Sequence, residues 1–455
     1  RGEEAPSEET AEEKAKKALA KEAQQKDNEE EEDAQAVKFA GEDSKGLDAK
    51  ACETQQYRLQ GVSETCKSVF AATGKIGENL GPRDLVSDAG LSSSSDSSSS
   101  MAGRSLAVFG FGNVGRVLCE QALAVGCAVP VVADSSAAIV KSSGLTSDDL
   151  RTLGEAKAGG VKLAEAAASV ADARVSTPKE AVAFMAKLPG KPGVADTSAN
   201  ANAAEDYLLD ALKLKLPISL ANKKPLSEDL AAFRALTADP SLIGYEATVG
   251  AGLPVICTLQ RMIDSGDEVT RAEGQLSGTL GYILSALQQG GKFSDIVREA
   301  KAQGFTEPDP RDDLSGTDVA RKALILARTM GEDISMDQLT VEALYPPSFA
   351  DLPLDEFMDR LPELDDEIDA KVRKASEANE MLRYAAVVEP GKPISVGLVQ
   401  VKSDAPLASL QGTDNLVSFS SKWYNNSPTV VRGPGAGLEV TAAGVLADFL
   451  FLTRK

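Results

Sequence analysis

The fold turns on one stretch: Ser105-Leu-Ala-Val-Phe-Gly110-Phe-Gly112-Asn-Val-Gly115-Arg-Val-Leu-Cys-Glu-Gln-Ala-Leu-Ala124. Its opening apolar run reads as a strand and residues 114–124 as a helix. Between them stand three glycines spaced GxGxxG. The first permits a tight turn, the second lets backbone approach a pyrophosphate, and the third lets helix pack on strand, while the helix N-terminus adds positive dipole. In a strand–turn–helix setting this spacing indicates a dinucleotide cradle. Asp134 follows a second strand, 128–133. A carboxylate there would accept from the ribose 2′-hydroxyl of NAD and repel the 2′-phosphate of NADP. Asp134-Ser-Ser is also an ordinary loop opening, so the choice between NAD and NADP stays open.

Outward from this motif, short apolar runs alternate with amphipathic stretches. Strands are expected at 105–109, 128–133, 193–196, 217–220 and 243–246, with helices at 114–124, 163–170, 178–187, 203–214 and 227–236. That alternation is the mark of an α/β protein with a Rossmann-type, doubly wound parallel sheet. Beyond 246 the pattern changes to helices at 254–264, 280–289, 293–303 and 317–329, a Pro- and acid-rich stretch at 346–369, and strands at 394–401 and 416–422, which implies a second, α+β domain. A glycine-rich run from Gly433 to Gly444 precedes an apolar helix, 445–452, expected to return to the first domain. The expected organisation is therefore a dinucleotide-binding domain, 102–245 plus 432–455, and a catalytic domain, 246–431.

Residues 1–101 differ in texture, with an acidic run at 29–33 and serine tracts at 92–95 and 97–100. Such a composition buries too little apolar surface to offset chain entropy, so a disordered acidic segment is expected, with a frayed helix over 8–25 and a serine linker. A small folded module at 57–76 is the alternative. The acids do not suit a transit peptide. The chain opens at Arg1 and Met101 could start a domain, so whether residues precede Arg1 stays open.

The chain has 455 residues, with 48 Lys and Arg against 69 Asp and Glu, a net charge of −21, and no histidine. Without histidine there is no Ser-His-Asp or Cys-His pair and no imidazole base or ligand, which leaves Lys, Asp, Glu, Tyr and Cys for proton transfer. The negative charge disfavours nucleic acid and anionic membranes as partners, and no apolar run is long enough to span a bilayer. Five cysteines without CxxC spacing suit a reducing compartment.

Four further segments carry chemistry. Asp196-Thr197-Ser198 and Asn222-Lys223-Lys224 stand at the carboxyl ends of later strands, where open sheets bind ligands. Thr197 can meet cofactor and Lys223 a substrate oxygen, while Lys224 reads as a solvated surface lysine. Glu246-Ala-Thr-Val249-Gly250-Ala251-Gly252-Leu253 offers one carboxylate and a loop whose carbonyls can turn inward, which suits either an all-oxygen cation site or a flexible hinge. Glu307-Pro-Asp-Pro-Arg-Asp-Asp313-Leu-Ser-Gly-Thr-Asp318-Val-Ala-Arg-Lys322 is the densest ionisable stretch. Asp318 and Lys322 share a helix face at i,i+4. The apolar continuation Ala323-Leu-Ile-Leu-Ala327 predicts that both are partly buried.

Together with Gly433-Pro-Gly-Ala-Gly437-Leu-Glu-Val-Thr-Ala-Ala-Gly444, these segments resemble homoserine dehydrogenase, in the short form without an ACT domain, over residues 105–455. The resemblance implies NAD(P)-dependent interconversion of L-homoserine and L-aspartate 4-semialdehyde, on the route to threonine and methionine. By position, Lys322 resembles the catalytic acid and Lys223 the lysine beside the substrate oxygen. Glu307 and Asp318 resemble the groups holding the substrate ammonium, with Asp313 nearby. Glu246 with the carbonyls of Val249, Ala251 and Leu253 looks like a monovalent-cation site for sodium. Gly110, Phe111, Gly112, Asn113, Val114, Gly115, Asp134, Thr197, Lys223, Gly304 and Gly437 match cofactor-contact positions. The resemblance further implies dimerisation through the second domain and a cytoplasmic or plastid setting. A catalytically silent dinucleotide-binding sensor of the same fold is the competing expectation.

Overall fold

The computed structural model describes residues 103–454. The expectations for residues 1–101, with Cys52 and Cys66, lie outside them.

The first lobe comprises β1 (Arg104–Phe109), α1 (Asn113–Ala124), β2 (Ala128–Ala133), β3 (Ala138–Val140), α2 (Ser147–Ala158), β4 (Arg174–Ser176), α3 (Pro178–Met185), β5 (Lys191–Asp196), β6 (Ile218–Leu220), α4 (Leu230–Thr237) and β7 (Ile243–Gly244). Its sheet runs β4-β3-β2-β1-β5-β6-β7. The strands from β2 to β7 in that order pair in parallel and coincide with the five strands read from the sequence. β3 and β4 add an antiparallel edge that was not expected. At three residues each they are too short to show a period. The helix α2 was missed too, although its capping box, Thr146 with Asp149, is a sequence signal. Along β1, Leu106 and Val108 pack with Leu118 and Phe449, whereas Ala107 and Phe109 pack with Tyr207 and Leu220. The run is apolar throughout because both sheet faces are covered. The order reverses at β1, whose neighbours are β2 and β5, so the carboxyl ends of β1 and β5 flank the crevice where such sheets take ligands.

The second lobe comprises α5 (Val255–Asp264), β8 (Val269–Gln275), α6 (Gly278–Gln288), α7 (Phe293–Ala302), α8 (Thr317–Thr329), β9 (Thr340–Val341), α9 (Asp365–Glu377), β10 (Glu380–Val388), β11 (Ser395–Lys402), β12 (Asp414–Ser421) and β13 (Thr429–Pro434). Its sheet runs β13-β12-β8-β10-β11-β9 and is antiparallel except where β9 joins β11. Of these strands only β11 and β12 were read from the sequence. β10 was hidden by Arg383 in mid-strand, yet that guanidinium is buried and donates to the carbonyls of Leu407, Ala408 and Leu410. β8, Val-Thr-Arg-Ala-Glu-Gly-Gln, shows no apolar alternation. The 346–369 stretch contributes the helix Leu354–Arg360 and the start of α9.

The chain closes with α10 (Leu438–Leu452), which packs on α1, β5, β6 and β7. This helix begins at Leu438, earlier than the expected 445, and contains Gly444. A Cβ at Gly444 would stand 3.0 Å from the Ala251 carbonyl oxygen, so the glycine serves close packing against the 250–252 loop. Among the described residues no helix is long and apolar enough to cross a membrane, and Cys119, Cys127 and Cys257 are free thiols.

Candidate active site

At the switch point, Gly110 has φ +100°, and its amide and that of Phe111 donate to the Ala133 carbonyl at 2.8 Å. A Cβ on Gly110 would lie 2.4 Å from the Ser198 nitrogen, and one on Gly115 would lie 2.1 Å from the Gly110 oxygen. Both positions therefore demand glycine for packing. Gly112, which precedes the first turn of α1, is different, since a Cβ there would meet nothing within 4 Å. The open face over Gly112 and the helix N-terminus beneath it fit a pyrophosphate. Thr197, on the loop after β5, donates to the Gly110 carbonyl at 2.9 Å and so braces the turn.

The other cofactor positions divide. Val114, Thr197, Lys223 and Gly437 line one cavity of about 780 Å³ between the lobes. Phe111 turns its side chain away from the cradle. It is fully buried in the core beneath the turn and can offer a ligand only its backbone. The Asn113 carboxamide accepts from Arg116 at 3.0 Å. Gly304, at φ +73°, follows the C-terminal end of α7 and is not among the cavity-lining residues, so helix termination accounts for that glycine. Asp134 accepts from Lys157 at 2.6 Å and from Ser136. These bonds outweigh the opposing effect of burial and hold its carboxyl below the ordinary range. Lys157 escaped the sequence reading, because only the folding of α2 onto α1 brings its ammonium to Asp134.

A lysine–carboxylate cluster lies where α8 faces the end of β6. The Lys322 ammonium donates to the Leu276 carbonyl at 2.6 Å and pairs with Asp318 at 2.9 Å, its side chain only 11% exposed. Lys223, arriving from the first lobe, reaches the other Asp318 oxygen at 3.1 Å. Asp318 thus joins two lysines from different parts of the chain. Although desolvation opposes it, the paired ammonium groups keep the Asp318 carboxyl well below the usual carboxylate range. Both residues are partly buried, as the apolar continuation of the helix predicts, with the Asp318 side chain the more exposed at 45%. Each Asp318 oxygen meets one ammonium group, which leaves lone pairs of the carboxylate for a further donor.

Glu307 and Asp313 form a separate acidic side. The Asp313 carboxylate accepts from the Glu307 amide at 2.8 Å, and burial, aided by the neighbouring Glu307 and Asp318 charges, raises its pKa. Both residues line the cavity, as do Ser277, Ser315, Thr317 and Arg321, which the sequence reading missed. Thr317 and Arg321 were findable, since they repeat the i,i+4 spacing one position before Asp318 and Lys322. The Leu276 carbonyl has no side-chain signal. Lys224 is not among the lining residues.

Glu246 is buried, and its two oxygens accept from the Ile256 and Cys257 amides at 2.6 and 2.9 Å, which caps the N-terminus of α5. Its own amide donates to Asp448 of α10 at 2.9 Å. The loop that follows turns through positive φ at Gly250 and Ala251, and of the four expected cation ligands only Ala251 lines the cavity.

The family model for Homoserine dehydrogenase matches residues 254–450, and that for Glutamate/Leucine/Phenylalanine/Valine dehydrogenase matches residues 90–190. The chain is 40% identical over 295 residues to a homoserine dehydrogenase of Emericella nidulans, covering 61% of this chain and 80% of that one. It is 44% identical over 262 residues to a chloroplastic bifunctional aspartokinase/homoserine dehydrogenase of Arabidopsis thaliana, covering 56% of this chain and only 29% of that much longer one. In three dimensions it is similar to a hyperthermophilic archaeal homoserine dehydrogenase mutant in complex with NADPH, at 26% identity and a TM-score of 0.59, over 77% of this chain and 97% of that one. The glycine turn, the lysine-bridging carboxylate and a single-function relative matched over four-fifths of its length agree: the chain belongs to the homoserine dehydrogenase family, oxidoreductases that act on a CH–OH group.

Proposed function

We propose that this protein interconverts L-homoserine and L-aspartate 4-semialdehyde with NAD(P). The observation that carries the reading is the meeting of Lys223 and Lys322 on Asp318 inside the cleft. When bound, the nicotinamide supplies or accepts the hydride. The chain's own task is to manage charge at the oxygen, where negative charge grows as an aldehyde is reduced. The Lys322 ammonium gives its proton to that oxygen, and Lys223 adds a second positive charge beside it. Asp318 holds both lysines at one point. The substrate is itself an amino acid, and its ammonium goes to Glu307 and Asp318, with Asp313 beside them. Joint retention of these groups disfavours a silent sensor.

The residues that would hold the cofactor are the Gly110–Gly115 turn, Val114, Thr197 and Gly437. Lys157 neutralises Asp134, and this supports acceptance of the 2′-phosphate of NADP as well as the free hydroxyl of NAD. The sodium reading of the Glu246 loop draws support from the adjacency of two carboxylate residues, Glu246 and Asp448. The homodimer rests on the family resemblance. Homoserine oxidation assayed with NAD and NADP in parallel tests the central reading, and absence of turnover with both would refute it.

A further inference from the structure

Near its C-terminal end α8 carries a charge that the chemistry above does not use. Arg328 is only 3% exposed, yet among the described residues no carboxylate forms an ion pair with it, Asp229 acting only from a distance. Its guanidinium donates instead to carbonyls: Leu226 at 2.6 Å, Glu228 at 3.4 Å, and Ile334 at 3.0 and 3.1 Å. Phe233 lies under it, 5.6 Å from ring centroid to guanidinium carbon. Leu226 and Glu228 belong to the first lobe. They lie at the C-terminal end of a four-residue helix, Lys224–Ser227, whose N-cap is Lys223. A helix that short leaves its last carbonyls without partners of its own, and Arg328 satisfies them from the other lobe.

The short helix is therefore attached to α8 at two points, Lys223 on Asp318 and Leu226 with Glu228 on Arg328. The first is an ion pair open to the cleft, with side chains 29% and 45% exposed, and water weakens such pairs. The second is buried and uses several donors of a planar, rigid fork. Ten residues of α8 separate Asp318 from Arg328, about 15 Å at 1.5 Å per residue. Lys223 directly precedes the anchored helix, so a slip of residues 224–228 on α8 displaces its ammonium.

We propose that Arg328 is a positioning residue for the reaction: by fixing residues 224–228 on α8, it sets where Lys223 stands relative to Asp318 and Lys322. The inference rests on the reading of the two lysines given above. Arg328→Lys keeps the charge and stem but cannot span the same carbonyls. The expected result is a fall in kcat on the order of 10²-fold, as for a reacting group displaced by about 1 Å, with the dissociation constant of NADPH changed by less than about twofold. A helix-packing role alone would predict the same loss whether or not Lys223 is present. The positioning role predicts that Arg328→Lys costs less than about threefold once Lys223 has been replaced by Ala, a coupling that residues out of contact do not normally show. Arg328→Gln repeats the cycle with a neutral side chain. Equal losses in both backgrounds, or an unchanged kcat, would overturn the proposal. Should neither variant fold, hydrogen exchange of the unaltered enzyme decides, since residues 224–228 should be protected together with α8 and exchange at the rate of an exposed loop would overturn it. An unaltered enzyme without homoserine turnover overturns both this inference and the functional reading, whereas an active one with an indifferent Arg328 overturns this inference alone.

Discussion

The Lys223 ammonium stands 3.1 Å from the carboxylate of Asp318, and the two residues belong to different lobes. Their meeting brings a lysine of the first lobe to the helix that carries Lys322. Asp318 thereby joins the two lysines, in a cavity that Glu307 and Asp313 also line.

Lys322→Ala should lower kcat by about 10²- to 10⁴-fold, the range typical for a lost general acid, while cofactor affinity stays nearly constant. Asp318→Asn should also act mainly on kcat, because both lysines lose their anchor. Steady-state kinetics with fluorescence titration of NADPH separates the two effects. A Lys322→Ala enzyme with near-normal turnover would reduce the pair to an ordinary helix-face contact.

The glycines of the turn should divide by function. Gly112→Ala adds a methyl group to open space, so the melting temperature should hold while cofactor affinity drops on the order of tenfold through obstruction of the pyrophosphate. Gly110→Ala combines a disfavoured φ with a clash on Ser198 and should destabilise the fold itself. Thermal melts beside binding isotherms check both. Equal stability losses at the two positions would contradict this division.

Asp448 sets a pH dependence of stability. Burial, with the neighbouring Glu246 charge, pushes its carboxyl up to about 7. Between its unfolded value and that raised one, the folded state binds more protons than the unfolded state. Stability from this group therefore falls as pH rises through the interval. Asp448→Asn should raise the melting temperature at both pH values and by several degrees more at pH 8 than at pH 5, at about 2–4 °C per kcal/mol for a domain of a few hundred residues. A uniform decrease at both pH values would show that the charge carries no such cost.

For the Glu246 loop, activity at fixed ionic strength should be higher in sodium or potassium than in a bulky organic cation such as tetramethylammonium. Glu246→Gln should abolish that difference and also loosen the N-terminus of α5, seen as a lower melting temperature. Indifference of the unaltered enzyme to the salt would leave Glu246 as a helix cap and the loop as a hinge.

The sequence by itself determined the parallel core of the first lobe and its glycine turn, because a strand buried on both faces is apolar throughout and a phosphate cradle needs glycine at set intervals. It also determined the helix face joining Asp318 to Lys322, since an i,i+4 pair needs nothing beyond helical geometry. Tertiary structure alone decided what lies far apart in the chain: Lys223 on Asp318, Lys157 on Asp134, and the Leu276 carbonyl under Lys322. It likewise decided the strands that sequence could not show. Arg383 in mid-strand looks like a break in β10 until the Leu407, Ala408 and Leu410 carbonyls surround it. A local pattern records how a residue meets its neighbours along the chain. Which distant group satisfies a buried charge is settled only when the sheets and helices pack.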